Sequence, residues 1–146
     1  MNQVKLVLAG VCAVSFAACL TAVSPALAET VALKASLVAT SEVPPNDSKG
    51  TGTVTISYDT ATKKLTYDGT YSGLSGPATA GHFHGPADPG KNAGVVIPIT
   101  TAKTSPFKGT ADLTDAQAAD LLAGKWYVNI HTEAHKGGEI RGQVTK

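Results

Sequence analysis

The side chains of this chain best suited to chemistry are its four histidines, which stand in two short clusters. His82 and His84 lie in Gly81-His82-Phe83-His84-Gly85, and His131 and His135 lie in Asn129-Ile130-His131-Thr132-Glu133-Ala134-His135. Residues two apart on a strand project from one face, roughly 6.5 to 7 Å apart along the backbone, so the imidazoles of an H-x-H pair can converge on one ion. His135 is within reach of a turn that folds back over His131. Imidazole binds zinc, copper, iron and nickel at about 2.0 to 2.1 Å, and three or four imidazoles without sulfur suit copper or zinc. The spacing does not choose between the two metals. The competing description is of exposed loop histidines or partners of backbone carbonyls, and His135, beside Lys136, fits it best.

Glu133 and Glu139 are candidates to accept the second ring proton of a ligating histidine, and are otherwise solvated turn carboxylates. Arg141, the only arginine, follows His135 by six residues, where a cation beside a metal attracts a small anion. A surface ion pair with Glu139, two residues away on the same strand face, is the alternative. Tyr127 and Asn129 share the face of His131 and are expected to line the same pocket.

Other chemistries are poorly supplied. Both cysteines, Cys12 and Cys19, and the single methionine, Met1, precede residue 29, so the rest of the chain offers no thiolate, thioether or disulfide. No Gly-x-Ser-x-Gly elbow, phosphate-binding glycine loop or paired-carboxylate arrangement stands out.

The beginning of the chain reads as an export signal. Lys5 precedes an apolar run from Leu6 to Leu20, and Ala26-Leu27-Ala28 has the small-x-small pattern of a cleavage site. Cleavage after Ala28 leaves residues 29–146 as one domain with one core. Phe16-Ala17-Ala18-Cys19 loosely resembles a lipoprotein processing site, a minor alternative that anchors the protein at Cys19. With Lys5 removed, 11 basic residues face 11 acidic ones, which gives a polyanion such as nucleic acid no electrostatic hold. The expected compartment is periplasmic or secreted, with no transmembrane span in the mature chain.

The elements that must position the histidines read as short strands separated by turns. Val31, Leu33, Ala35 and Leu37 alternate with polar or small neighbours, and Glu42-Val43-Pro44-Pro45-Asn46-Asp47 breaks the run. Thr53 to Tyr58 and Leu65 to Tyr71 form a hairpin across Asp59 to Lys64, with Val54, Ile56 and Tyr58 on one face. Strands are expected over 79–84, 95–99, 107–113, 126–131 and 139–144. Thr114 and Gln117 make a capping box for a short helix to Ala123, stopped by Gly124, with Ala118, Leu121 and Leu122 as its apolar stripe. Phe83 points away from His82 and His84, and Trp126, Val128 and Ile130 point away from His131, so both clusters lie opposite apolar faces. The fold class is all-β, a Greek-key-like antiparallel sandwich or barrel with one short helix.

Ser41-Glu42-Val43-Pro44-Pro45, Gly73-Leu74-Ser75-Gly76-Pro77, Ala80-Gly81-His82-Phe83-His84-Gly85 and the run from Tyr127 to Gly142 resemble the CHRD domain over nearly the whole mature chain. The segment from Leu113 to Gly124 also fits that pattern. The resemblance implies a β-sandwich or barrel outside the cytoplasm. It leaves function open, since the family's members include a binding protein and many uncharacterised microbial proteins. The site layout is also distantly similar to copper-zinc superoxide dismutase, a Greek-key barrel with an H-x-H pair, further histidines and a guiding arginine. On that analogy His82, His84 and His131, with His135 as a fourth candidate, hold copper, and Arg141 draws in superoxide. This chain lacks the cysteine pair of those enzymes and the histidines for a second, zinc site, so only a copper arrangement is in keeping with it. A fold analogy carries no chemistry by itself. The expected function is therefore copper-dependent redox chemistry on a small oxygen species. A non-catalytic copper-storage module and an extracellular interaction domain are the alternatives.

Overall fold

A computed structural model describes residues 29–146, so the leader and Cys19 lie outside the described residues. Eight strands follow in chain order: β1 (Thr30–Val38), β2 (Thr51–Asp59), β3 (Lys64–Ser72), β4 (Ala78–His84), β5 (Val95–Pro98), β6 (Phe107–Asp112), β7 (Tyr127–Thr132) and β8 (Ile140–Gln143). One helix, α1 (Asp115–Leu122), links β6 to β7. All strand pairings are antiparallel, in the order β5-β4-β7-β8-β1-β2-β3-β6. The sheet rolls into a nearly closed barrel around one core, to which seven of the strands contribute. The described residues thus form the all-β barrel expected from the sequence, and no helix among them is long and apolar enough to cross a membrane.

The period-2 pattern explains most of the architecture. Leu33, Ala35 and Leu37 of β1 and Val54, Ile56 and Tyr58 of β2 are buried, while their neighbours face solvent. The hairpin β2–β3 pairs from Thr51↔Ser72 to Asp59↔Lys64. Phe83, Val128, Ile130 and Ile140 are wholly buried on the inner faces of β4, β7 and β8, each stabilising the fold by roughly 1.5 to 3 kcal/mol. Phe83 meets Tyr67 edge-on at 5.2 Å and Trp126 at 6.0 Å, so the residue between the two histidines ties their strand to the core.

Thr114 caps α1 with the expected capping box, and Gly124, at φ +71°, supplies the left-handed residue after it. The apolar stripe is narrower than expected. Ala118 and Leu121 are buried, but Leu122, the last residue of the helix, is 36% exposed. Strand β7 departs from simple alternation, since all six of its residues are buried. Its inner face packs on the core, and on its outer face the loops at 42–48 and 85–94 bring Glu42 to Asn129 and Ala93 to Tyr127, while His131 meets Lys136 of the β7–β8 turn. Asn92 joins those loops by donating its amide to the Val43 carbonyl at 2.9 Å.

Candidate metal centre

Strands β4 and β7 are neighbours, and their register sets His82 opposite Asn129 and Ala80 opposite His131. His82, His84 and His131 therefore meet on the outer face of this pair. One nitrogen from each ring lies within 4.8 Å of the other two. His82 Nδ1 is 3.0 Å from His131 Nε2, and the two ring centroids are 4.9 Å apart. His84 and His131 are buried, while His82 is partly open to solvent.

Two backbone carbonyls fix how the buried rings carry their protons. A carbonyl oxygen only accepts, so His84 Nδ1–H donates to Ala93 O at 3.0 Å and His131 Nδ1–H donates to Lys136 O at 2.9 Å. In each neutral ring the Nε2 atom is then a bare lone pair. Both lone pairs face Asn129 Oδ1, at 2.9 Å from His131 and 3.1 Å from His84. Three acceptor atoms stand together, and His82, whose Nδ1–H can donate to His131 Nε2 at 3.0 Å, is the neighbouring ring able to place a proton among them. Burial lowers the pKa of His82 and of His84, and the neighbouring histidines lower both further. For His84 the hydrogen bonds to Ala93 and Asn129 pull upward without reversing the net shift. Both rings thus stay neutral, the form that binds a metal, to lower pH than free histidine.

Behind this layer the Tyr127 ring stacks parallel on His84, at a centroid distance of 4.8 Å and an interplanar angle of 1°. The guanidinium carbon of Arg141 lies 3.4 Å from the Tyr127 centroid. The guanidinium donates to Asn92 Oδ1 at 2.9 Å and to the Lys91 carbonyl at 2.5 Å, and Arg141 is only 2% exposed. Its charge is nevertheless felt at His84 and at Glu42, adding a downward pull on each pKa.

The residues proposed from sequence thus divide. His82, His84 and His131 come together. His135 stays on the β7–β8 turn outside the triad, half-buried, lining a surface cleft with Glu42, Pro44 and Lys136. Its backbone holds that turn, exchanging hydrogen bonds with Thr132 at 3.2 and 3.4 Å. Arg141 is neither a surface residue nor a partner of Glu139. Neither glutamate takes a ring proton, because backbone carbonyls occupy both Nδ1 positions. Exposed Glu133 pairs with Lys136 Nζ at 2.8 Å. Glu139 is wholly buried and accepts from Ser48 Oγ (2.6 Å), Ser75 N (2.7 Å), Ser75 Oγ (2.7 Å) and Thr132 Oγ1. Burial raises its pKa, but these donors together hold it down at about 2.

Glu42 carries no role in the sequence reading, yet it is 5% exposed and Oε1 has no hydrogen-bond partner. Burial raises its pKa to about 7 against the opposing pull of Arg141, Val43 and Asn129. The one available signal is an acid in a turn followed by Val43-Pro44-Pro45.

Fold and site define a small β-barrel domain with a histidine triad, two of its rings buried, on its outer face. The chain matches the CHRD domain over residues 33–144 and belongs to that family. No curated protein and no solved structure is significantly similar to it.

Proposed function

We propose that this protein is an exported copper-binding β domain that performs redox chemistry on a small oxygen species, with superoxide dismutation as the reaction. The observation that carries the reading is the convergence of His84 Nε2, His131 Nε2 and His82 Nδ1, the first two stripped of protons by backbone carbonyls. A cation among them engages the bare Nε2 lone pairs of His84 and His131 and needs no charged ligand. The donor set fits copper, which accepts imidazole in both oxidation states, better than calcium or magnesium, which prefer oxygen.

Copper held by His82, His84 and His131 would supply one-electron exchange, so that one superoxide could be oxidised to dioxygen and a second, taking up two protons, reduced to hydrogen peroxide. The chain supplies the setting. His84 is clamped between Ala93 O and the Tyr127 ring, His131 is clamped by Lys136 O, and the more exposed His82 leaves the solvent side approachable. Arg141 adds positive potential from behind Tyr127, which favours an anion at the site.

The buried, hydrogen-bonded state of Arg141 favours a second reading, a copper-buffering or transfer module, because the guanidinium presents no exposed contact for a substrate. Elemental analysis of the isolated protein, with electron paramagnetic resonance after copper loading, tests the site. Retaining no copper or zinc, and gaining none at micromolar metal, refutes it. Bound copper that removes superoxide no faster than buffer refutes the dismutase reading and leaves the buffering one.

A further inference from the structure

We propose that Asn129 is the fourth donor of the metal centre, through Oδ1, and that Glu42 is the positioning residue that holds its amide that way round. This inference rests on the copper-binding reading. It makes the site an N3O set rather than a three-histidine one.

The separations between neighbouring donors carry the first half. With metal–ligand bonds of about 2.0 to 2.1 Å, tetrahedral ligands sit about 3.3 Å apart, and adjacent ligands of a square plane sit about 2.9 Å apart. Going round the site, His82 Nδ1 to His131 Nε2 is 3.0 Å, His131 Nε2 to Asn129 Oδ1 is 2.9 Å, and Asn129 Oδ1 to His84 Nε2 is 3.1 Å. All three are short enough for neighbouring donors to share one ion. Tetragonal N,O coordination is the preference of Cu(II) and Ni(II), whereas structural zinc is tetrahedral.

An amide has two ends, and the second half concerns which end faces the ion. An oxygen turned toward two imidazole lone pairs is unfavourable unless a cation lies between them, so something must enforce that orientation in the metal-free protein. Glu42 faces the other end of the amide. Space for its carboxyl exists because residue 138 is glycine, at φ +132°. A Cβ there would run into the Glu42 carboxyl and come within 2.8 Å of Asn129 Nδ2. Asn129 Nδ2 lies on the Glu42 side of the amide, close to Glu42 Oε1 around Gly138, and a carboxyl oxygen placed there favours Nδ2 over Oδ1 as its neighbour, which leaves Oδ1 toward the histidines. Arg141, whose charge reaches Glu42, balances the buried carboxylate from β8.

The test loads wild type, Asn129→Ala, Asn129→Asp and Glu42→Gln with Cu(II) and with Zn(II), measuring both affinities and the Cu(II) paramagnetic resonance spectrum. Asn129→Ala is expected to lose at least about 10-fold in Cu(II) affinity. Asn129→Asp, which keeps an oxygen donor, retains Cu(II) affinity and an axial signal with three-nitrogen splitting. Glu42→Gln, whose amide can face either way, loses about 10-fold in Cu(II) affinity with no fall in its metal-free melting temperature. Wild-type Cu(II) affinity and spectrum in folded Asn129→Ala would overturn the donor assignment, and the same result in Glu42→Gln would overturn the positioning role. If Asn129→Ala does not fold, an Asn129→Asp variant that binds Cu(II) over 10-fold more weakly overturns the donor assignment. Wild type that binds no Cu(II) overturns this inference together with the reading on which it rests.

Discussion

Replacing Glu42 by glutamine should make the metal-free protein more stable at pH 8 while leaving it unchanged at pH 4. The carboxyl is 5% exposed, and burial lifts its pKa from the ordinary 4.5 to about 7. A raised folded value means that the folded state is favoured while the group is protonated, below about 4.5, and that this advantage is lost as pH rises through about 7. Above that, holding the ionised form in its buried place costs about 3 kcal/mol relative to the unfolded chain. Glutamine has nearly the same shape and no charge to desolvate, so the variant recovers up to that amount. For a domain of this size the gain is on the order of 10 °C in melting temperature. Thermal unfolding followed by Trp126 fluorescence, with a chelator present, measures it at pH 4, 6 and 8. The difference between variant and wild type should grow with pH. A variant equally or less stable at pH 8 would refute the reasoning, showing that the ionised carboxylate is held by interactions stronger than its desolvation. Such a residue stabilises nothing when the metal is absent, which is what a group retained for the metal centre should look like.

Glu139 should behave with the opposite sign. Its folded pKa of about 2 lies below the ordinary 4.5, so its contribution is present above about 4.5 and is lost as pH falls toward 2. Glu139→Gln should cost about 3 kcal/mol at pH 7, read by urea unfolding, and the difference from wild type should vanish near pH 2. His131→Ala should abolish copper-dependent thermal stabilisation, whereas His135→Ala should keep it; at a free copper concentration 100 times Kd that stabilisation is about 2.7 kcal/mol. A shift lost in His135→Ala would place that ring at the metal after all. Gly138→Ala should destabilise the domain by about 2 kcal/mol or more in chemical denaturation, since φ +132° and the Glu42 carboxyl both oppose a Cβ.

Much of this protein is determined by sequence alone, through local rules. Alternation gave β1 to β3 their inner faces, Thr114 and Gln117 set the start of α1, and His82-Phe83-His84 had to present two imidazoles on one side of a strand with Phe83 on the other. Those features depend on neighbours within a few residues. Only tertiary structure decided which strands lie side by side. Pairing β4 with β7 joined His131 to the pair and left His135 on its turn, four residues on. The same assembly made Glu139 a buried anchor for Ser48, Ser75 and Thr132, and it carried Arg141 inward beneath Tyr127. Glu42 was least legible, because its significance lies in contacts with Gly138, Asn129 and Arg141, all more than 80 residues away along the chain. Spacing tells which side of its own element a side chain takes, but what it meets there depends on long-range packing, and the chemistry of a buried carboxyl or imidazole is set by what it meets.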